Sequence, residues 1–213
     1  DEGVSGVFTG CTSLANIYTE NDAATASGHN SANGMIWKVV SSQNTLVYCP
    51  LGRTSDSVNP LAIPNGITAI GESAFEGHLN VRYVTIPSYV TSIGANAFAS
   101  SRLSSITFQG GAAAEQTIGE GAFAECGSLA SVTFADNCNV TTIGASAFSF
   151  CDALTALTLP ASLVSVGENA FANCTSLTTL TLQGSNAASQ TLTFADSTFT
   201  NCASLTTVHL SAN

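Results

Sequence analysis

Basic side chains are nearly missing from this sequence. Its 213 residues include 4 Lys+Arg against 14 Asp+Glu, a formal net charge of −10. That balance excludes a nucleic-acid binder, whose phosphate contacts need Lys and Arg. It argues equally against docking on anionic lipid. Charge of either sign is scarce, at 8% of residues, where ordinary globular chains carry roughly 25%. Surface polarity must therefore come from Ser, Thr, Asn and Gln. No apolar run reaches the ~18 residues of a membrane-spanning helix. No leader stands at Asp1, which leaves the compartment open, because processing would have removed one. A Gly-x-Ser-x-Gly elbow, a His-Glu-x-x-His pair and a Gly-rich phosphate loop are all absent, so the common hydrolase and nucleotide-binding signatures are missing. What is abundant is apolar side chain, 45% of the chain, enough for a sizeable core and too much for a disordered segment.

That apolar content is periodic. "IGESAF" ends at Phe75, "IGANAF" at Phe98, "IGEGAF" at Phe123, "IGASAF" at Phe148 and "VGENAF" at Phe171, with a worn copy, "FADSTF", ending at Phe199. Phe8 carries the same phase upstream. A period within roughly 20–29 residues, with Leu-rich strands, is the signature of a leucine-rich repeat solenoid. After each Phe comes a short run: "VRYVTI", "LSSITF", "LASVTF", "LTALTL", "LTTLTL" and "LTTVHL". Each ends apolar, polar, apolar, which is strand periodicity. A second short extended step precedes each Ile-Gly or Val-Gly. The Gly marks either a positive-φ turn or close backbone packing. The Ala-Phe is expected to pack inward from a short helical turn. The expected fold class is thus an α/β-type solenoid, a right-handed array with parallel β-sheet. One coil cannot bury its apolar face alone, so stability is shared between stacked neighbours.

The unit Leu-x-x-Ile-x-Leu-Pro…Ile-Gly-x-x-Ala-Phe-x-x-Cys resembles the BspA-like, or Treponema-type, leucine-rich repeat. "LTALTLPASLVSVGENAFANCTSL" (154–177) is a near-complete copy and "VTIPSYVTSIGANAF" (84–98) another. The resemblance covers residues 61–213 densely, and these are expected to form one continuous solenoid domain. Residues 1–60 are expected to form an irregular N-terminal repeat and cap. Within them "NGMIWKVVSSQNTLVYCPLGR" (33–53) looks like the β-hairpin insert often seen in such proteins, and hairpin 35–49 should cover the open end of the first coils. The resemblance implies secreted or cell-surface proteins of host-associated bacteria, credited with binding and adhesion and sharing no catalytic site. It also implies a protein or glycan ligand, host extracellular material included. The departures are His78 and Ser101 where Cys is usual.

Five cysteines, Cys11, Cys126, Cys151, Cys174 and Cys202, lie three residues after a repeat Phe. In a solenoid this position caulks the turn, with a weak S–H donor to a backbone carbonyl. Stacked parallel side chains disfavour a disulfide, which wants angled Cβ atoms near ~3.8 Å apart. A column is also the wrong shape for the four converging ligands of zinc. Cys49 and Cys138 are off-phase, and any reactive or bridged pair would be sought there. No metal or other cofactor is implied.

The polar residue between the last two apolar positions of each strand must face outward. This gives a column of Thr85, Thr107, Thr133, Thr158, Thr181 and His209. Two residues earlier stand Tyr83, Ser105, Ser131, Ala156, Thr179 and Thr207. Two later stand Pro87, Gln109, Ala135, Pro160, Gln183 and Ser211. Tyr83, Gln109, Gln183 and His209 offer more than a Thr can, and are the candidate contacts for a ligand. The plain alternative is that Thr merely suits an exposed strand. His29, His78 and His209 are far apart in sequence. Glu72 and Glu76 share a turn, where acids favour the local dipole. No catalytic residues assemble. The function expected is a non-catalytic surface binding module; its rival is a structural spacer with no ligand of its own. The sequence closes on "LTTVHLSAN", a strand with no polar cap after it, so the expectation is either that the natural protein continues beyond Asn213 or that this edge pairs with another chain.

Overall fold

The computed structural model describes residues 14, 30–32, 35–40, 42–111, 114–184 and 191–211. Its strands are β1 (Asn30–Ala32), β2 (Met35–Val40), β3 (Gln43–Tyr48), β4 (Leu61–Ala62), β5 (Ala69–Ile70), β6 (Tyr83–Ile86), β7 (Ser92–Ile93) and β8 (Ser105–Phe108). They continue with β9 (Gln116–Ile118), β10 (Ser131–Phe134), β11 (Val140–Ile143), β12 (Ala156–Leu159), β13 (Ser165–Val166), β14 (Thr179–Leu182), β15 (Thr193–Phe194) and β16 (Thr207–Leu210). Each coil contributes one strand to each of two walls. The Leu-x-x-Ile-x-Leu runs form the strand face, in the orders β4-β6-β8-β10 and β12-β14-β16. The short steps before each Gly form the other wall, β3-β5-β7-β9-β11-β13-β15, extended by β2 and β1. Every coil-to-coil pairing is parallel; only the β1–β2 and β2–β3 pairs are antiparallel.

The hairpin β2–β3 is part of the array as well as its edge. β3 pairs in parallel with β5, Thr45 opposite Ala69 and Leu46 opposite Ile70. Met35 and Leu46 are fully buried in the common core, and Trp37 packs against it half-buried. The amide of Cys49 donates to the carbonyl of Ala74 (2.9 Å), as that of Phe75 does to Ala97 in the next coil (2.7 Å). Residues 43–59 thus follow the path of a coil in which Cys49 stands where later coils place Phe.

The segment between the walls differs from expectation. Among the described residues there is no α-helix, and the short helical turns read from the sequence are absent. The reason is a pair of left-handed residues in every Phe-marked coil. Positive φ occurs at Ser73, Asn96, Gly121, Ser146, Asn169 and Ser197, and again four residues later at Gly77, Ser100, Glu125, Phe150, Asn173 and Asn201. A right-handed helix cannot continue through such residues. Alternate amides instead turn to the neighbouring coil: Asn96 to Glu120 (2.9 Å), Phe98 to Ala122 (2.7 Å) and Ser100 to Ala124 (2.8 Å). The amides between them close tight turns at home, Ala99 to Asn96 at 3.0 Å and Ser101 to Phe98 at 3.3 Å. The invariantly spaced Gly resolves as close packing, without positive φ. A Cβ on Gly94 would lie 2.6 Å from the Glu72 nitrogen, and one on Gly167 2.4 Å from the Ala145 nitrogen.

The core is a stack. The rings of Phe75, Phe98, Phe123, Phe148, Phe171 and Phe199 lie 4.5–5.4 Å from their neighbours, tilted by 5–14°. Each buried ring contributes roughly 1.5–3 kcal/mol by leaving water. On the strand face the ladder is interrupted: among the described residues no pairing joins β10 to β12. The opposite wall stays continuous through β11, with a register shift between Val140 and Thr142.

Candidate functional site

Strand register sets the outward columns. Tyr83 faces Ser105, which faces Ser131; Thr85 faces Thr107, which faces Thr133. Beyond the break Thr158 faces Thr181, which faces His209. The candidates therefore fall into two in-register runs. Thr133 and Thr158, beside the break, are exposed, as are Ser131 and Ala156; Tyr83, Thr85, Thr107 and Thr181 are half-buried. His209, at the far edge, is exposed as well. Gln109 and Gln183 are exposed at the ends of their strands, but Pro87 and Pro160 in the same column are buried, so that column is no continuous surface. Tyr83 and His209 are five rungs apart, roughly 24 Å at ~4.8 Å per rung. These side chains cannot close on one small molecule; they suit something extended. No carboxylate or ammonium stands in the Thr column.

The laddered thiols form a second column, inside. The Sγ–H of Cys126 donates to the carbonyl of Phe98 (3.1 Å), Cys151 to Phe123 (3.4 Å), Cys174 to Phe148 (3.2 Å) and Cys202 to Phe171 (3.0 Å). Each thiol ties its coil to the Phe of the coil before. All four are free, and burial pushes their pKa up, for Cys174 to about 12. Thiolate, the nucleophilic and metal-binding form, is suppressed. In the coils lacking Cys, the hydroxyl of Ser101 meets Cys126 Sγ at 3.4 Å, and His78 fills the earlier place. Cys11 lies outside the described residues, as do Phe8 and His29.

Cys49 and Cys138 are both free thiols, so neither is bridged. Cys49 lies 3.8 Å from His78 Nε2, a spacing that invites comparison with a nucleophile–base pair. The hydrogen bonds say otherwise. His78 Nδ1 accepts from the Val81 amide (3.2 Å), so the proton sits on Nε2 and is donated to the Pro50 carbonyl (2.9 Å). Burial lowers the His78 pKa, partly offset by that donation. Burial also raises the Cys49 thiol far above its usual value, against the pull of Arg53. Such an imidazole has no lone pair for the thiol. The pair is a structural plug. Among the described residues no group of three His, Cys, Asp or Glu is placed to hold a metal ion, and no helix is long and apolar enough to cross a membrane.

Four features escaped the sequence reading. Arg53, Leu79 and Arg102 occupy one position in successive coils, as the amide bonds Ser55 to Asn80 (3.3 Å) and Arg102 to His78 (3.0 Å) register them. A pocket of about 150 Å³ opens beside them, lined by Leu51, Gly77, Leu79 and Asn80. Tyr89 is exposed, and its hydroxyl donates to Ile63 O (3.0 Å) or Asn65 Oδ1 (3.1 Å). Phe150 is exposed in a left-handed conformation. Counting columns from each repeat Phe, rather than from the strands alone, would have brought all but the pocket into view.

The comparisons agree with this architecture. The BspA type leucine rich repeat region, described as six copies, matches residues 53–139 and 116–213. Among curated proteins none matches the chain. Among solved structures, a leucine rich cell surface protein from Faecalibacterium prausnitzii A2-165 is similar, with a TM-score of 0.62 and 22% identity over 95% of this chain and 43% of that one. This chain thus spans less than half of that protein. The T. pallidum leucine rich repeat protein has a TM-score of 0.65 and 20% identity, over 85% of this chain and 82% of that one. The pneumococcal vaccine antigen PcpA reaches 0.51 at 19% identity, over 85% of this chain and 36% of that one. At these identities the structures speak for the fold alone, while the repeat model covers most of the chain: by it, the chain belongs to the BspA-type leucine-rich repeat family.

Proposed function

We propose that this chain is a non-catalytic binding segment of a secreted or cell-surface protein, and that its strand face lies along an extended protein or glycan ligand. The observation that carries the reading is the in-register column of Thr hydroxyls, Thr85–Thr107–Thr133 and Thr158–Thr181, closed by His209 at one end and flanked by Tyr83 in the next column at the other. Similarity to a protein described as a cell surface protein supports the location. Families of this fold are typically non-catalytic. With no charge in the column, affinity should depend little on salt. The test is a solid-phase screen of extracellular-matrix proteins and glycans with the native chain, Tyr83→Ala and Gln109→Ala. Each variant should weaken a captured ligand and leave the melting temperature unchanged. A ligand indifferent to both changes would remove the strand face from consideration.

A spacer that binds nothing is the second reading, favoured by the plain suitability of Thr for exposed strands; an empty screen would support it. At the far edge β16 exposes Val208 and Leu210 (53% and 75%). We place self-association there, through a strand of a second copy, to be checked by the concentration dependence of sedimentation.

A further inference from the structure

One residue breaks the rule that the rest of its column obeys. Two residues after each core Phe the backbone is left-handed, and the coils place Gly77, Ser100, Glu125, Asn173 and Asn201 there. The fourth coil places Phe150, with φ of 59° and a ring 49% exposed. Its amide still donates to the Ala172 carbonyl (2.9 Å), so the backbone keeps the common path. The core of that coil is already filled by Phe148, which is fully buried. Phe150 therefore adds nothing to the interior, and it burdens the fold both by adopting a conformation bulky residues avoid and by exposing an aromatic ring. Strain of this kind, kept where the fold does not need it, points to a function of the side chain.

The surroundings name the chemistry. In the coil before stands Glu125, its Oε2 accepting from Ser100 Oγ (2.8 Å). In the coil after stands Asn173, its Oδ1 accepting from Asn201 Nδ2 (2.9 Å). Two residues along, Asp152 Oδ1 accepts from Thr175 Oγ1 (3.0 Å). A lone ring thus rises among carboxylate and carboxamide groups whose directions their own hydrogen bonds hold. One ring, with no exposed apolar side chain beside it in its column, is too small for a hydrophobic protein contact. The acidic rim repels phosphate, sulfate and acidic sugars. An aromatic face attracts polarised C–H groups through its quadrupole, and the rim accepts from hydroxyls. A pyranose ring presents both. We infer that Phe150 is the stacking platform of a binding site for an uncharged sugar unit of a glycan, with Glu125, Asp152 and Asn173 as hydroxyl acceptors. The site is independent of the strand face.

The probe is an array of immobilised neutral oligosaccharides with their sialylated counterparts, read with the native chain and three variants. The native chain should bind neutral members. Phe150→Asn should lose at least about tenfold in affinity, as expected for a dominant aromatic contact, while its melting temperature rises, because Asn is what the next two coils place there. Phe150→Trp should retain binding. Tyr83→Ala should leave it unchanged, which separates this site from the strand face. The inference fails if no neutral glycan binds, if Phe150→Asn binds as well as the native chain, if sialylated members are preferred, or if Phe150→Asn lowers the melting temperature and so reveals a packing role.

Discussion

The Ala-Phe side and the strand face of this solenoid are built from the same coils but tolerate different things. On the Ala-Phe side the Phe-marked coils repeat left-handed backbone at the same two positions, the same alternation of home and neighbour hydrogen bonds, and a ring stacked on the last. On the strand face the ladder stops between β10 and β12. At that break the Phe123 and Phe148 rings remain 4.9 Å apart and β11 still joins β9 to β13. Continuity of the array therefore resides in the stacked interior and the second wall. The ladder of the strand face is interrupted without loss of the stack.

Substitutions on the two sides should differ sharply. Phe123→Ala, in mid-stack, should cost about 3–5 kcal/mol in chemical denaturation, the usual range for emptying a buried Phe site. A loss under about 1 kcal/mol would mean that the stack is not what holds the coils together. Gly167→Ala should cost roughly 1–3 kcal/mol, because its Cβ meets backbone, which cannot swing aside. An unchanged denaturation midpoint would show the coils to be looser than described.

The thiol column gives a pH signature to the same side. Burial raises the Cys174 pKa from 9.0 to about 12. The unfolded thiol ionises first, so the unfolded state binds fewer protons within that window, and stability falls as pH rises through it. Below about pH 9 the contribution is fully present. Denaturation midpoints should drop between about pH 9 and about 12, and the drop should be shallower in Cys174→Ala. Equal slopes would disconnect the thiol from the effect. Alkylation of the native chain should correspondingly spare Cys126, Cys151 and Cys174 until denaturant is added. The smallest effect belongs to the strand face: Thr133→Ala should stay within about 0.5 kcal/mol of the native chain. A larger loss would make the hydroxyl column structural.

Much of this was readable from single residues. The Phe phase located every ring of the stack, and the apolar–polar–apolar triplets located the strands of the face and their outward Thr. The Cys spacing placed Cys126, Cys151, Cys174 and Cys202 in one column. The helical turns were misread because Ala-Phe between small residues suits a helix locally. The contrary signal, a Ser, Asn or Gly two places before each Phe, reads as a left-handed residue only once the neighbouring coil is there to accept its amide. Period and inward pattern are properties of a chain whose repeats must bury one stripe each, and so the sequence by itself determined the solenoid, the phase of its Phe-marked coils and the Thr column of its strand face. Whether the walls stay joined between β10 and β12, that His78 plugs against Cys49 and Pro50, and that Phe150 stands in solvent, only the tertiary structure decided. These depend on the register and hydrogen-bond demand of neighbouring coils, which residues about twenty-five positions away supply.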